Sequence, residues 1–398
     1  MIDLDAEFHR LVGFGGAAVV HPDGGAAWLD DDGAPVLDRP VETYATARMA
    51  HVHALAALAG VAGSGATADA MLDALAGPLR DAEHGGWPAS TADPAKVAYA
   101  HAFVLLAAST AVVAGRPSGP ALLADALAVH ERFWEPGPGM VADRFDRTWE
   151  RRDGYRGLNG NMHTVEALLA ASDATGDPRW RGRALRIATT AVDRWGRAQG
   201  WRLPEHYTAD WEPALEHHRD RPDDPFEPYG ATVGHGLEWS RLLLHLEAAL
   251  GDGAAPAWLR PAAEALYDRA VADGWSVDGA EGFVYTTDWS GRPVVHDRMH
   301  WVVAEAIGAA AALRTATGRS RYADDEARYW DFAERHHVDR ARGSWIHQLD
   351  RRNRPSPTVW DGKPDLYHAV QATLVPRLPL APGLAVALRD GVSRAGGP

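Results

Sequence analysis

The stretch GLNGNMHTVEALLAAS, residues 157–172, combines a polar start with an apolar body. Asn159, His163 and Glu166 are spaced at i, i+4 and i+7, which places all three on one face of an α-helix. The Ala and Leu residues around and after them are typical of a helix buried in a core. The stretch therefore predicts a buried helix whose first turns present polar side chains to a cavity.

Segments of the same design recur along the chain at intervals of about 50 to 75 residues. Each has polar or aromatic first turns and a long apolar body, and most end at a Gly suited to a helix C-cap. More amphipathic helices follow, as in residues 177–196 and 320–339. Six such pairs predict an all-α (α/α)6 barrel of about twelve helices. The predicted inner helices start near Tyr44, Lys96, Asn159, Thr232, His300 and Asp365.

Strand-like signals are few and short. GWPAS (86–90) and GFVYTTDWSGRPVV (282–295) are expected to form short β-hairpins or lids in the connecting loops. No Pro/Gly-rich linker divides the chain. We therefore expect a single (α/α)6-barrel catalytic domain over residues 1–398.

The composition excludes several classes of function. A net charge of −14 without a Lys/Arg-rich run argues against nucleic-acid partners. The absence of cysteine excludes a thiol nucleophile and a Cys-ligated metal. No apolar stretch is long enough to span a membrane, and the first residues lack the pattern of a signal peptide. We expect a cytoplasmic enzyme, and both a monomer and a homo-oligomer are compatible with the sequence.

Polar side chains cluster at the predicted starts of the inner helices. If these helices all begin at one end of the barrel, their first turns line a single cavity. A buried histidine alone is more often structural than catalytic, but recurrence in successive repeats favours a functional site. The residues concerned are Tyr44, Arg48, His51, Tyr99, His101, Asn159, His163, Glu166, His235, Glu238, Trp301, Glu305, Tyr367 and His368.

Three chemistries are compatible with this set. Paired carboxylates would suit a glycoside hydrolase, and His with Glu could bind a metal ion, although no HExxH-like spacing is present. The third is acid–base catalysis by His at carbons next to a carbonyl, with Glu residues setting the tautomer and the pKa. Several of the Glu residues lie one turn from a His or Trp, which favours the third. It needs neither a metal nor a cofactor.

Five strings in a fixed order carry a family resemblance: YAHAF (99–103), GLNGNMHTVEALLAA (157–171), PYGATVGHGLEW (228–239), HWVVAEAI (300–307) and WDGKPDLYHAVQATL (360–374). The chain resembles the N-acylglucosamine 2-epimerase superfamily, whose members are cofactor-independent sugar epimerases and isomerases on an (α/α)6 barrel. The string GKPDLYH (362–368) is most similar to the aldose–ketose isomerase branch.

The resemblance implies a role for each matching residue. His235 and His368 would be the catalytic acid/base residues. Sugar hydroxyls and the C1 and C2 oxygens would be held by Arg48, Tyr99, Asn159 and His163. Glu238 and Glu305 would orient the histidines, and Trp301 would pack on the sugar.

The implied reaction interconverts D-mannose and D-fructose, with D-lyxose and D-xylulose as a second pair, by proton transfer through a cis-enediol. Its partner is a monosaccharide, with no metal and no cofactor. Sugar 2-epimerisation, of the mannose/glucose or cellobiose type, could use the same histidines and stays an alternative. A glycoside hydrolase and a non-catalytic sugar- or protein-binding protein are two further alternatives.

One departure from the branch concerns charge. Members that act on a sulfonated sugar have RFRPYG before the fourth inner helix, where this chain has PFEPYG (225–230). Pro225 and Glu227 replace both arginines, which implies a neutral sugar.

Overall fold

The computed structural model describes residues 2–392, and about half of them are helical. The α-helices are α1 Leu4–Val12, α2 Thr43–Leu58, α3 Ser64–Ala76, α4 Ala98–Val113, α5 Gly119–Phe133, α6 Leu158–Thr175, α7 Arg179–Ala188, α8 Val233–Leu250, α9 Leu259–Gly274, α10 His300–Thr317, α11 Arg321–His336, α12 Tyr367–Leu374 and α13 Leu384–Arg389. A 3-10 helix covers Gly16–Val19, and a π-helical segment, Thr189–Gly196, extends α7.

The strands are two or three residues long. They are β1 Lys96–Val97, β2 Trp134–Glu135, β3 Met140–Val141, β4 Arg144–Phe145, β5 Arg156–Gly157, β6 His206–Tyr207, β7 Ala231–Thr232, β8 Thr286–Thr287, β9 Pro293–Val295, β10 Arg298–Met299 and β11 Gln348–Leu349. The expected hairpin in residues 282–295 is confirmed as β8 and β9. In the other segment, GWPAS, only Ser90 makes a bridge, to Glu42, so no hairpin forms there, and the alternative of a lid stays a prediction.

The chain groups into two compact units. The first unit comprises residues 12–187, 364–367 and 382–392, and the second comprises residues 2–11, 188–363 and 368–381. Within residues 2–392, no helix is both long and apolar enough to cross a membrane. A single catalytic domain over residues 1–398 stays a prediction.

In the first unit, α4 lies between α2 and α6 and packs against α5 behind it, while α3 packs against α2. Nearly all side chains of α2 and α4 are buried, as expected for inner helices that are apolar all round. In the second unit, α8 packs against α9 and α10, and α10 packs against α11. Near the N-terminus, Asp5 of α1 pairs with Arg377, which follows α12.

The predicted inner helices are confirmed: α2, α4, α6, α8, α10 and α12 begin within two residues of the expected starts. The Gly C-caps are also confirmed in α6 and α10, which end before Gly176 and Gly318. Both glycines have a left-handed backbone, with φ of 72° and 67°.

Four inner helices, α4, α6, α8 and α10, begin directly after a short strand, and α4, α8 and α10 share one arrangement. The strand pairs are β1 with β4, β7 with β8, and β10 with β11, all antiparallel. The first helical N–H then donates to a backbone carbonyl of the partner segment: Ala98 to Asp143, Val233 to Tyr285, and His300 to His347. The residues before these helices make no side-chain capping hydrogen bond. Backbone carbonyls thus replace the usual Ser or Asp cap.

Gly230 permits the strand pairing that positions α8. Its φ is +92°, and a Cβ there would lie 2.1 Å from the carbonyl oxygen of Thr287, in strand β8. Only a glycine allows both this backbone conformation and this approach.

We expect Gly230→Ala to lower the free energy of unfolding by roughly 2–4 kcal/mol, because it combines left-handed strain with a backbone clash. The matched control is Gly176→Ala, at a φ of +72° with nothing near the added Cβ, where about 1 kcal/mol of strain is the only cost. Urea denaturation of both variants measures the difference. Equal losses would show that the contact with Thr287 relaxes freely.

Candidate active site

His235 lies in the first turn of α8, at the edge of the buried region. Its Nδ1 is 2.9 Å from Oε2 of Glu205, a buried residue just before β6. A carboxylate accepts hydrogen bonds, so Nδ1 carries the proton and donates it to Glu205. In the neutral ring, Nε2 then holds the lone pair and can exchange a proton with a substrate.

His368, the second residue of α12, has a similar partner. Its Nδ1 is 2.9 Å from Oε1 of Glu305 in α10, and both side chains are buried. The other oxygen of Glu305 accepts a hydrogen bond from Nε of Arg241 at 2.8 Å. Burial raises the pKa of the Glu305 carboxyl, but Arg241 and His368 outweigh burial and hold that pKa well below its ordinary value. The ionised carboxylate therefore keeps the His368 proton on Nδ1 and leaves the lone pair on Nε2.

Trp301, in the first turn of α10, contacts both histidines. Its ring centroid is 5.3 Å from that of His235 and 5.6 Å from that of His368. Gly234 allows the indole to lie this close to α8, because a Cβ at Gly234 would be 2.2 Å from the Trp301 ring. The two histidines thus share one aromatic surface, against which the apolar face of a sugar could pack.

Glu238 belongs to the His368 cluster. Donor atoms of Glu238, Glu305 and His368 all lie within 4.8 Å of one another, which is close enough for three metal ligands. However, Arg241 also lies here, with Nη2 at 3.5 Å from Oε1 of Glu238 and Nε on Glu305. A fixed guanidinium between the two carboxylates supplies their positive charge and would repel a divalent ion. The arrangement fits an orienting network better than a metal site.

The histidine partners differ in part from the expectation that Glu238 and Glu305 orient His235 and His368. Glu305 does hold His368, as the sequence implied. The carboxylate bonded to His235 is that of Glu205, not that of Glu238. Sequence reasoning missed Glu205, which lies in a loop without periodicity. It also missed Arg241, whose i+3 spacing from Glu238 is a signal that could have found it.

In the first unit, Arg48 of α2 is a buried cation. Its Nη1 is 3.0 Å from Oδ2 of Asp365, and its Nη2 donates to the hydroxyl of Tyr99 at 2.7 Å. The guanidinium also lies over the ring of Phe103, 4.3 Å from its centroid. Asp365 additionally accepts from the N–H of Tyr367, which starts α12. Arg48 and Tyr99 are therefore brought together as predicted, whereas Asp365 was missed as a charge partner.

The column at the start of α6 is confirmed in part. Nδ1 of His163 lies 4.0 Å from Oε2 of Glu166, one turn further along the helix. Glu166 accepts a hydrogen bond from the hydroxyl of Tyr367. Asn159 is half-buried, and its Oδ1 has no hydrogen-bond partner in the part of the chain that the structure describes. An amide oxygen in this state could accept a bond from a sugar hydroxyl.

Two histidines of the sequence-based set have structural partners. His101 donates from Nδ1 to the carbonyl of Val97, and its Nε2 accepts from the N–H of Trp87. Burial lowers the pKa of His101 to about 3 and that of His51 to about 4, so both rings are neutral. His51 also shares a 2.7 Å hydrogen bond with the hydroxyl of Thr110.

Two histidines, each with a buried carboxylate on Nδ1, form a candidate acid–base site in an all-α protein built from helical hairpins. The chain belongs to the N-acylglucosamine 2-epimerase (GlcNAc 2-epimerase) family, whose sequence profile matches residues 24–372. A D-mannose isomerase from Thermobifida fusca is 54% identical over 393 residues, covering 97% of this chain and 96% of that protein. Another, from Pseudomonas cannabina pv. alisalensis, is 47% identical over 392 residues, covering 97% and 94%.

Solved structures agree with this assignment. A crystal structure of D-mannose isomerase superposes with a TM-score of 0.87 at 27% identity, covering 94% of this chain and 96% of that one. The cellobiose 2-epimerase from Spirochaeta thermophila DSM 6192 has a TM-score of 0.79 at 20% identity, covering 98% and 96%, and supports the fold alone. The predicted (α/α)6-barrel fold class and the predicted family are therefore confirmed.

The buried Arg48–Asp365 pair leads to a stability prediction. We expect Asp365→Ala to lower the free energy of unfolding by about 3–5 kcal/mol, because it leaves a buried guanidinium without its carboxylate. The matched control, Asp331→Ala, removes an exposed partner of Arg335 at 2.8 Å and should cost less than about 1 kcal/mol. Chemical denaturation at neutral pH measures both losses. A cost for Asp365→Ala as small as that of the control would contradict the assigned role.

Proposed function

We propose that this protein is a cofactor-independent aldose–ketose isomerase that interconverts D-mannose and D-fructose. The observation that carries the proposal is the pair His235 and His368, each with Nδ1 held by a buried carboxylate and each against the indole of Trp301. Such a pair can move protons at neighbouring carbon and oxygen atoms without a metal. The two D-mannose isomerase relatives described above support the choice of sugar.

The proposed reaction starts from the open-chain aldose. Nε2 of His368 removes the C2 proton, and the C–H electrons form the C1–C2 double bond of a cis-enediol while the π electrons of the C1 carbonyl move onto O1. His235 takes the proton of O2 and delivers a proton to O1. His368 then returns its proton to C1 on the same face, leaving a carbonyl at C2. Glu305 and Glu205 stabilise the imidazolium that each histidine becomes in turn.

The sugar-binding residues of the first unit are part of this proposal through the family resemblance. Arg48 and Tyr99 would donate to sugar oxygens, and Asn159 and His163 would hold hydroxyl groups. In the second unit, Trp301 would cover the apolar face of the sugar.

Epimerisation at C2 is the second candidate, favoured by the contact of both histidines with one indole. Two bases on opposite faces of C2 would return the proton to C2 from the other side and convert mannose to glucose. NMR of D-mannose with the enzyme in D2O separates the two reactions. Deuterated fructose supports isomerisation, whereas glucose labelled at C2 as the main product supports epimerisation.

Replacing either proposed catalytic histidine should abolish turnover without unfolding the protein. We expect His235→Ala and His368→Ala to lower kcat by at least about a hundredfold, the usual scale for a lost general acid or base. The thermal midpoint should change little, and exposed His9 offers a control, His9→Ala, that keeps full activity. A variant that retains its specific activity would show that the replaced histidine is not catalytic.

Isomerase activity should survive chelation. Nε2 of a carboxylate-held histidine transfers protons without a Lewis acid, and Arg241 supplies the positive charge beside Glu238 and Glu305. The test is the kcat for D-mannose after EDTA treatment and desalting. Loss of activity that a divalent ion restores would contradict the proton-transfer mechanism.

The segment before α8 should disfavour anionic sugars. It carries four acidic residues, Asp220, Asp223, Asp224 and Glu227. The segment is connected to the His235 site by His206, which is the neighbour of Glu205 in the chain. Nε2 of His206 is 2.8 Å from the carbonyl oxygen of Pro228. We expect kcat/KM for D-mannose to exceed that for mannose 6-phosphate by roughly tenfold or more, through charge repulsion.

Exchanging one of these charges tests the cause. Asp223→Arg should reduce the ratio of kcat/KM for D-mannose to that for mannose 6-phosphate, because Asp223 is exposed in this segment. The control Asp252→Arg makes the same charge change beyond the other end of α8, about 27 Å away along the helix. A wild-type enzyme that prefers the phosphorylated sugar would overturn the assignment of a neutral substrate.

A further inference from the structure

A second cluster of histidines lies outside the proposed catalytic groups, in the segment between β6 and β7. The rings of His217 and His218 stack with centroids 3.8 Å apart at 27°. Both direct Nε2 to the same atom, Oε2 of Glu227, at 2.7 and 3.6 Å. Donor atoms of the three residues all lie within 4.8 Å of one another. Two imidazoles and a carboxylate on one point form a typical ligand set for a transition metal.

The distances suit a small tetrahedral ion. Zinc–nitrogen and zinc–oxygen bonds of about 2.0–2.2 Å place neighbouring ligand atoms roughly 3.3 Å apart. The observed separations of 2.7 and 3.6 Å lie on either side of this value. Movements of roughly half an ångström would therefore bring both separations to this value.

A hydrogen bond prepares His218 for this role, whereas the metal ion must displace the Nε2 proton that His217 donates to Glu227. Nδ1 of His218 is 2.9 Å from the carbonyl oxygen of Glu227, so Nδ1 carries the proton and Nε2 the lone pair. A backbone carbonyl on the second ring nitrogen is the usual support of a metal-bound histidine. Asp224 accepts from the N–H groups of Phe226 and Glu227, which holds the backbone that carries the carboxylate.

Arg221 is the competing cation, since its Nη2 contacts Nε2 of His218. Its side chain is 61% exposed, so it can turn into solvent when a metal ion takes its place. The three ligands are 12–34% exposed, which leaves the position accessible from outside and a fourth coordination site for water. Calcium and magnesium prefer sites made only of oxygen, so the imidazoles favour a zinc-class ion.

We propose that His217, His218 and Glu227 bind one zinc-class divalent ion that fastens the segment before α8. The ring of His206 lies 4.5 Å from that of His217, and His206 follows Glu205, the partner of His235. The ion therefore stabilises the backbone next to the His235 site without touching the reacting groups. Its role is structural, and isomerase activity continues without it.

The test is a metal titration of the full-length, chelator-stripped protein. Calorimetry with Zn²⁺ should show one saturable site per chain, and Co²⁺ should give the intense visible absorption of tetrahedral coordination. His217→Ala and the nearly isosteric Glu227→Gln should weaken binding at least about tenfold and remove the rise in thermal midpoint caused by zinc. Circular dichroism confirms that both variants are folded.

Two controls separate this cluster from other histidines. His9→Ala removes an exposed histidine that pairs with Asp5, and it should leave zinc binding unchanged. His368→Ala disrupts the Glu238–Glu305–His368 cluster and should also leave binding unchanged. The proposal is overturned if no saturable binding occurs, if the two loop variants bind like the wild type, or if His368→Ala alone abolishes binding.

Discussion

A buried carboxylate stays ionised only where cations and hydrogen-bond donors replace the water it has lost. Glu305 meets this condition with Arg241 on one oxygen and His368 on the other. The network joins Arg241 of α8, Glu305 of α10 and His368 of α12, and so fixes these three helices to one another. Gly308 of α10 gives Arg241 the room it needs, since a Cβ there would lie 3.1 Å from the Arg241 side chain. The tautomer of His368 follows from this one ionised group.

His235 obtains the same chemistry from a different part of the chain. Its carboxylate partner, Glu205, comes from a loop thirty positions earlier, not from a neighbouring helix turn. Glu205 is followed by His206, which connects it to the histidine-rich segment before α8. The orientation of one proposed catalytic histidine therefore depends on an ordered loop, whereas that of the other depends on packed helices. Loops carry higher mobility than helices, so His235 is the more sensitive of the two to changes at the surface.

Backbone pairing makes room for this chemistry at the helix starts. In most helices, a Ser, Thr or Asp side chain accepts a hydrogen bond from one of the first N–H groups. In α4, α8 and α10, backbone carbonyls of Asp143, Tyr285 and His347 accept from the first helical N–H instead. The first turns can then carry residues of the candidate site, such as His235 and Trp301. The short strand pairs therefore contribute to the site by positioning the first turns of these helices.

The sequence by itself determined what depends on local order. The apolar bodies and terminal glycines specified the inner helices and their ends, because helix formation responds to residues within a few turns. The same local spacing marked His163 with Glu166, and the family strings marked His235 and His368. Tertiary structure alone decided the long-range pairings: Glu205 with His235, and Asp365 with Arg48, 317 positions apart. It also decided that His101 is structural, since the N–H of Trp87, fourteen positions earlier, reaches its Nε2 only in the folded chain. A carboxylate in a loop carries no periodic signal, so its partner is known only when the helices are packed.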